Sequence, residues 1–167
     1  MALWRVYYHL IWATKERLPL ITEDIDEEFR NYIIGKADSL QCITHAVGNV
    51  ENHVHLVVSI PPKLSVSEFV KNIKGSVSHH VNHNMPNYHN KFAWQRGYGV
   101  FSLGQKQLDK ATDYAASQKQ RHLKGNLIPL LERIEDEDDG PSKKLEKSEI
   151  AEEVSPWPAT DPSDSWL

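Results

Sequence analysis

Two short patterns carry the side chains whose types and spacing could do chemistry. The first is His53-Val54-His55, at the head of the run "HVHLVVSI"; the second is Tyr114-x-x-x-Gln118, with His122 four residues further on. Side chains two apart on a strand share a face. His53 and His55 are therefore either two solvent-facing imidazoles or a pair of nitrogen ligands near enough to grip one ion. Tyr114, Gln118 and His122 recur at one helical turn, which fits either ordinary packing and solvent contacts or a reactive group beside the histidine pair. In the second case the chemistry is specific. A tyrosine hydroxyl attacks a phosphodiester when a cation draws charge from the phosphate and aligns it. Two imidazoles and an amide oxygen leave positions open on a divalent ion, a donor set better suited to Mn²⁺ or Mg²⁺ than to a closed structural zinc site.

The surrounding elements must place these groups. "RVYYHLIWAT" alternates in a strand-like way and is rich in aromatic and branched residues. From Thr22 the period changes, and Ile25, Phe29, Tyr32, Ile33, Ala37 and Leu40 recur at helical spacing with acids in the first turn. "CITHAVGNV" and "HVHLVVSI" predict a hairpin turning at Glu51 and Asn52, and the prolines at 61 and 62 end it. Along the second arm Val54, Leu56, Val58 and Ile60 form an apolar face that must meet helices, which leaves His53 and His55 on the open face. Ser65 to Glu68 is a capping-box pattern opening a helix striped with Phe69, Val70, Ile73, Val77 and Val81. "KFAWQRGYGVFSL" predicts a fourth strand, and Gln105 to about Lys124 a last helix. The order β-α-β-β-α-β and then α gives an α+β fold of the ferredoxin-like, split βαβ kind, an antiparallel sheet with helices on one face plus a C-terminal helix.

Composition divides the chain. Residues 133–167 hold 4 Lys and Arg against 11 Asp and Glu, whereas residues 1–132 hold 15 against 12. A mildly basic domain over 1–132 is thus followed by an acidic, proline-containing tail over 133–167, expected to be disordered. No apolar run approaches the ~20 residues of a membrane span, and the N-terminus lacks a signal-peptide pattern, so a cytoplasmic protein is expected. Cys42, the single cysteine, reads as a small buried hydrophobe. There is no Walker-type phosphate loop and no internal repeat.

In combination, "HVH" on a sheet strand, "WQRGYGVFS" and a helix with Tyr-x-x-x-Gln resemble the HUH single-strand transposases of small bacterial insertion sequences, the TnpA-type tyrosine transposases. The resemblance runs from about Leu3 to Lys124 and takes in "YYHLIWATKERLPLI" and "SVSEFVKNIKGSVS". It implies His53, His55 and Gln118 as metal ligands and Tyr114 as the catalytic nucleophile, which becomes joined to a 5′-phosphate of cleaved single-stranded DNA and releases a 3′-hydroxyl. It also implies hairpin DNA at element ends as the partner, and a homodimer in which the tyrosine helix of one subunit completes the site of the other. Asn52 stands where the family often has aspartate, and Ala115 where a larger apolar residue is common.

Lys71, Lys74 and Arg96 are the candidate phosphate contacts of such a DNA-binding face. Trp94 and Tyr98 are aromatics able to stack an unpaired base, although Trp94 reads more simply as core. His79, His80, His83 and His89 crowd one polar segment without sharing a ligand face, which predicts exposed surface. Two further classes compete with an active transposase: a domesticated or inactive relative that binds hairpins without cutting, and a ferredoxin-like RNA-binding module. The second would carry stacking aromatics where this chain has His53 and His55.

Overall fold

The computed structural model describes residues 2–133. The acidic tail, apart from its first residue, lies outside them, as does the expectation that it is disordered. In chain order the elements are β1 (Tyr7–Ala13), α1 (Asp26–Ser39), β2 (Ile43–Val50), β3 (His53–Ser59), α2 (Val66–Asn84), β4 (Gly99–Leu103), α3 (Leu108–Ala116), α4 (Gln118–Lys124) and α5 (Pro129–Glu132). The sheet order is β2-β3-β1-β4 with every neighbouring pair antiparallel. This is the ferredoxin-like arrangement expected from the sequence, and no described helix is long and apolar enough to cross a membrane.

Strand alternation divides the protein into two apolar layers. Leu10 and Trp12 of β1 and Val54, Leu56 and Val58 of β3 pack with Phe29 and Ile33 of α1 and Phe69, Ile73 and Val77 of α2. On the opposite face Ile11, Ala13 and Val57 meet Ala111, Tyr114 and Ala115 of α3 and Leu131 of α5. The face expected to be open is therefore covered, and His53 and His55 are buried to within 1%. The physical reason is the small side chains of α3, which let that helix lie against the sheet; at Ala115, the departure noted in the sequence, the bulk is missing where the backbones come closest. Cys42 is buried in the first layer as expected.

Two element boundaries differ from expectation. Only 99–103 of the run 91–103 forms a strand, because the chain turns at Gly97, whose φ is +79°, and Trp94 makes just an isolated bridge to Thr14. The last helix is broken at Ser117 (φ −99°, ψ 20°), where the serine hydroxyl donates to the Asp113 carbonyl at 2.6 Å, a local bond that competes with continued helix. The cap of α2 is half of the expected box: Ser65 Oγ accepts from the Glu68 N–H, while the Glu68 carboxylate accepts from Asn72.

A buried carboxylate ties the broken helix back to the domain. Asp26, at the start of α1, accepts from Asn49 Nδ2 of β2 at 2.6 Å, from Lys119 Nζ of α4 at 2.6 Å and from Arg30 within its own helix. Burial pushes the Asp26 carboxyl up, but the bonds from Lys119, Asn49 and Arg30 outweigh it and hold it below the ordinary value. A lowered folded value means that the stabilisation is complete above the unfolded pKa, about 3.9, and is lost as pH falls through the folded one. Thermal melts between pH 7 and pH 3 should therefore show wild type losing stability more steeply than Asp26→Asn, which starts lower. Parallel curves for the two proteins would refute the assignment.

Candidate active site

The histidine pair is positioned by the hairpin and by β1. In register, His53 lies opposite Ala13 and Val50, and His55 opposite Ile11 and Gly48. The turn is pinned because the Asn52 carbonyl accepts from both Thr14 N (2.9 Å) and Thr14 Oγ1 (3.1 Å). The Asn52 side chain adds a second constraint: its Oδ1 lies 2.7 Å from His53 Nδ1. An amide oxygen only accepts, so the contact places a proton on His53 Nδ1 and turns Nε2 towards Glu132. Amide in place of the family's frequent aspartate thus still orients the imidazole. His55 Nδ1 is 2.9 Å from His9 Nε2, and His9 is fully buried. Burial first, then the neighbouring His55, pushes the His9 imidazole well below its ordinary pKa. His55 is lowered to about 4, also chiefly by burial, against the opposing pull of Glu132.

Tyr114 reaches this pair from α3. Its ring centroid is 5.5 Å from that of His55, and the Arg121 guanidinium lies over the ring, 4.7 Å from the centroid. The hydroxyl accepts from the Ile128 N–H at 3.0 Å and donates to Glu132 Oε1 at 2.6 Å. Burial, reinforced by the Glu132 carboxylate, raises the phenol to about 12, so it is held as a neutral hydroxyl. Gln118 is buried, and its Nε2 donates to the Tyr114 carbonyl at 2.9 Å, which spans the helix break. His53, His55, Tyr114 and Gln118 are thus buried on this one face of the sheet, with His122 half-buried beside them.

Glu132, which the sequence reading missed, stands at the centre of the site. Its Oε2 is 3.0 Å from His53 Nε2 and 3.3 Å from His122 Nε2, and its Oε1 is 3.5 Å from His55 Nε2. Burial opposes ionisation of Glu132, but the facing His53, His55 and Tyr114 side chains outweigh it and hold the carboxyl well below the usual carboxylate range. Arg17, in a turn with φ +53°, anchors the end of α5 by donating to the Glu132 carbonyl at 2.7 Å. His53 Nε2, His55 Nε2 and Gln118 Oε1 are buried without hydrogen-bond partners, an unusual state for buried polar atoms and the one expected of atoms reserved for a cation. The donor set therefore fits a divalent ion.

The predicted phosphate contacts are not equivalent. Lys71 and Arg96 are exposed, but Lys74 is half-buried and donates to the carbonyls of Gln95 (2.7 Å) and Gly97 (2.9 Å), with burial lowering its pKa. Its observed task is to hold the turn before β4. Lys74→Ala should cost about 2 kcal/mol, the scale of charge-assisted hydrogen bonds, read as a lower melting temperature; an unchanged melt would refute it. Trp94 packs on the first apolar layer and donates to the Lys74 carbonyl, in line with the core reading. His79, His83 and His89 are exposed, whereas His80 is stacked 4.0 Å from Tyr32.

A buried tyrosine, a histidine pair and a glutamine thus lie together on a ferredoxin-like sheet, the arrangement that the resemblance to tyrosine transposases implies. The profile of the family described as IS200-like transposase matches residues 2–118, and the chain belongs to that family, whose activity is DNA cleavage and joining. The ISDra2 transposase TnpA of Deinococcus radiodurans is 25% identical over 121 residues, covering 69% of this chain and 85% of that one. The transposase of insertion sequence IS200 from Salmonella typhimurium is 27% identical over 136 residues, covering 76% and 86%. Two solved structures share the fold, each with a TM-score of 0.54. One is a Deinococcus radiodurans crystal structure with a provisional transposase assignment, 20% identical over 74% of this chain and 92% of that one. The other is a REP-associated tyrosine transposase bound to a REP hairpin, 17% identical over 73% and 74%.

Proposed function

We propose that this transposase cleaves and rejoins single-stranded DNA at hairpin-bearing element ends through a 5′-phosphotyrosine on Tyr114. The observation that carries the reading is the Tyr114 hydroxyl set against His55 and Glu132, beside imidazole and amide atoms that lack hydrogen-bond partners. His53, His55 and Gln118 would hold a divalent ion, Mg²⁺ or Mn²⁺, which supplies charge withdrawal from the scissile phosphate and its alignment. In the attack the Tyr114 oxygen–phosphorus bond forms and the phosphorus–O3′ bond breaks. The tyrosine proton has Glu132 Oε1 as its nearest acceptor, and the departing 3′-oxygen leaves as a hydroxyl once protonated. Because one ester replaces another, the reverse attack by a 3′-hydroxyl rejoins the strands without a nucleotide cofactor.

A hairpin partner is supported by the neighbour bound to such a DNA, with exposed Lys71 and Arg96 proposed as phosphate contacts. Tyr114 is set against the histidines of its own chain, since α3 packs on β2 and β3 of the same sheet. Two copies that exchange α3 would form the same contacts across a homodimer. The RNA-module reading loses its support because α3 and α5 cover the face on which bases would stack. Single-stranded hairpin oligonucleotides copied from the DNA flanking the gene, incubated with the protein and Mn²⁺ or Mg²⁺, should give a metal-dependent adduct that survives denaturation. Tight hairpin binding with no adduct and no cleaved strand under either ion would replace this reading with a binding-only one.

A further inference from the structure

We propose that His122 and Glu132 join His53 as ligands of the divalent ion in the DNA-free protein, so that an imidazole and a carboxylate are added to the set of His53, His55 and Gln118. The inference rests on the metal site proposed above and deepens it. His53, His122 and Glu132 each offer a donor atom, and these atoms all lie within 4.8 Å of one another; no other such group of three occurs among the described residues. Around an ion with bonds of about 2.1 Å, adjacent ligand atoms stand about 3 Å apart and opposite ones about 4.2 Å. The separations of 3.0 Å and 3.3 Å from Glu132 Oε2 to the two imidazole nitrogens match adjacent positions.

These close contacts lack good hydrogen-bond geometry. His53 Nε2, His122 Nε2 and Glu132 Oε2 are all buried without a hydrogen-bond partner despite their closeness. The Asn52 side chain turns the His53 ring so that Nε2 faces Glu132 Oε2 across 3.0 Å. A proton or a divalent ion between them makes that juxtaposition attractive, but only the ion engages all three converging donor atoms at once. The carboxylate divides its work: Oε2 faces the two imidazoles while Oε1 holds the Tyr114 hydroxyl. Its backbone is fixed by Arg17, so the oxygen is presented and not merely adjacent. A hard anionic oxygen also moves the donor set further towards Mg²⁺ and Mn²⁺. An incoming phosphate, itself an oxygen anion, then competes with Glu132 Oε2 for a position on the ion, while Oε1 keeps the Tyr114 hydroxyl.

The test is Mn²⁺ binding to the full chain without DNA, followed by the EPR signal of free ion, with pulsed EPR to count imidazole nitrogens coupled to the bound ion. Wild type should show three coupled imidazoles. Glu132→Ala and Glu132→Gln should each weaken Mn²⁺ binding by about tenfold or more, the scale of losing a ligand or its close support, and His122→Ala should remove one coupled imidazole. Circular dichroism checks that each variant is folded, and the count in wild type needs no variant at all. Two coupled imidazoles in wild type, or Glu132 variants that bind within about twofold of wild type while His53→Ala has lost binding, would overturn this inference and leave the three-ligand site standing. Wild type that binds no Mn²⁺ would overturn both.

Discussion

Replacing Tyr114 by phenylalanine is expected to abolish the covalent protein–DNA adduct and to reduce strand cleavage by at least about 10³-fold, the range seen when a covalent nucleophile is removed. The change deletes one oxygen. The ring keeps its place beside His55 and Arg121, so hairpin binding should survive within a few-fold. The variant also has a stability cost that must be separated from the chemistry. Without the hydroxyl, the Ile128 N–H loses its acceptor, which costs about 1–3 kcal/mol for a buried donor. Melting, hairpin affinity and adduct formation measured together distinguish the cases. Adduct formation by Tyr114→Phe would assign the nucleophile to another residue, and loss of all three properties would point to unfolding.

The second large effect is expected from a residue with no reactive group. Gly48 on β2 lies in register with His55, and a methyl group built there would stand 1.7 Å from the Ala115 carbonyl oxygen and 2.8 Å from its carbon. Both obstacles are backbone, so α3 would have to retreat by about 1.5 Å or more to restore ordinary contact. A misplacement of about 1 Å at reacting atoms costs on the order of 10²-fold in rate. Gly48→Ala should therefore cut adduct formation by about 10²-fold and destabilise the protein by about 1–3 kcal/mol through overpacking. Hydrogen exchange gives the more telling readout: amides of α3 should lose protection while those of α1 and α2 keep it, because the first apolar layer lies on the other side of the sheet. Unchanged α3 protection together with unchanged cleavage would show that the close approach does not position the tyrosine.

The parts of the site that sequence made legible are those governed by local periodicity. The alternation of β3 separated Val54, Leu56 and Val58 from His53 and His55, and the four-residue spacing put Tyr114 and Gln118 together even across the break at Ser117. What escaped depends on contacts distant in sequence. His9 shares the alternating face of β1 with Ile11, yet only strand pairing brings it to His55. Glu132 follows Tyr114 by 18 residues through a turn at Gly125, whose φ is +66°, and no repeat announces its return to the sheet. The aromatic run 91–98 carries strand propensity, but Trp94 and the Lys74 bonds draw it into a turn packed on the first layer, where burial overrides propensity. Burial of the histidines was misjudged for a related reason: a strand's pattern reports which residues share a face, and says nothing of a helix arriving later to cover it.

Tyr114 is only 1% exposed, which turns access into a question of populations. In the proposed reaction a phosphate reaches the hydroxyl only in molecules whose covering segments are displaced, so the fraction able to cut would be the fraction in that form. DNA binding must favour the displaced form by the free energy that separates the two, and each 1.4 kcal/mol of that gap weakens apparent affinity tenfold. Strands that make few contacts elsewhere on the protein would leave Tyr114 shut away, whereas a folded hairpin with many phosphate contacts would draw it out. Under the proposed function, selectivity for element ends over other single strands would be exercised before any bond is broken, by a threshold and not by the reactivity of the phenol.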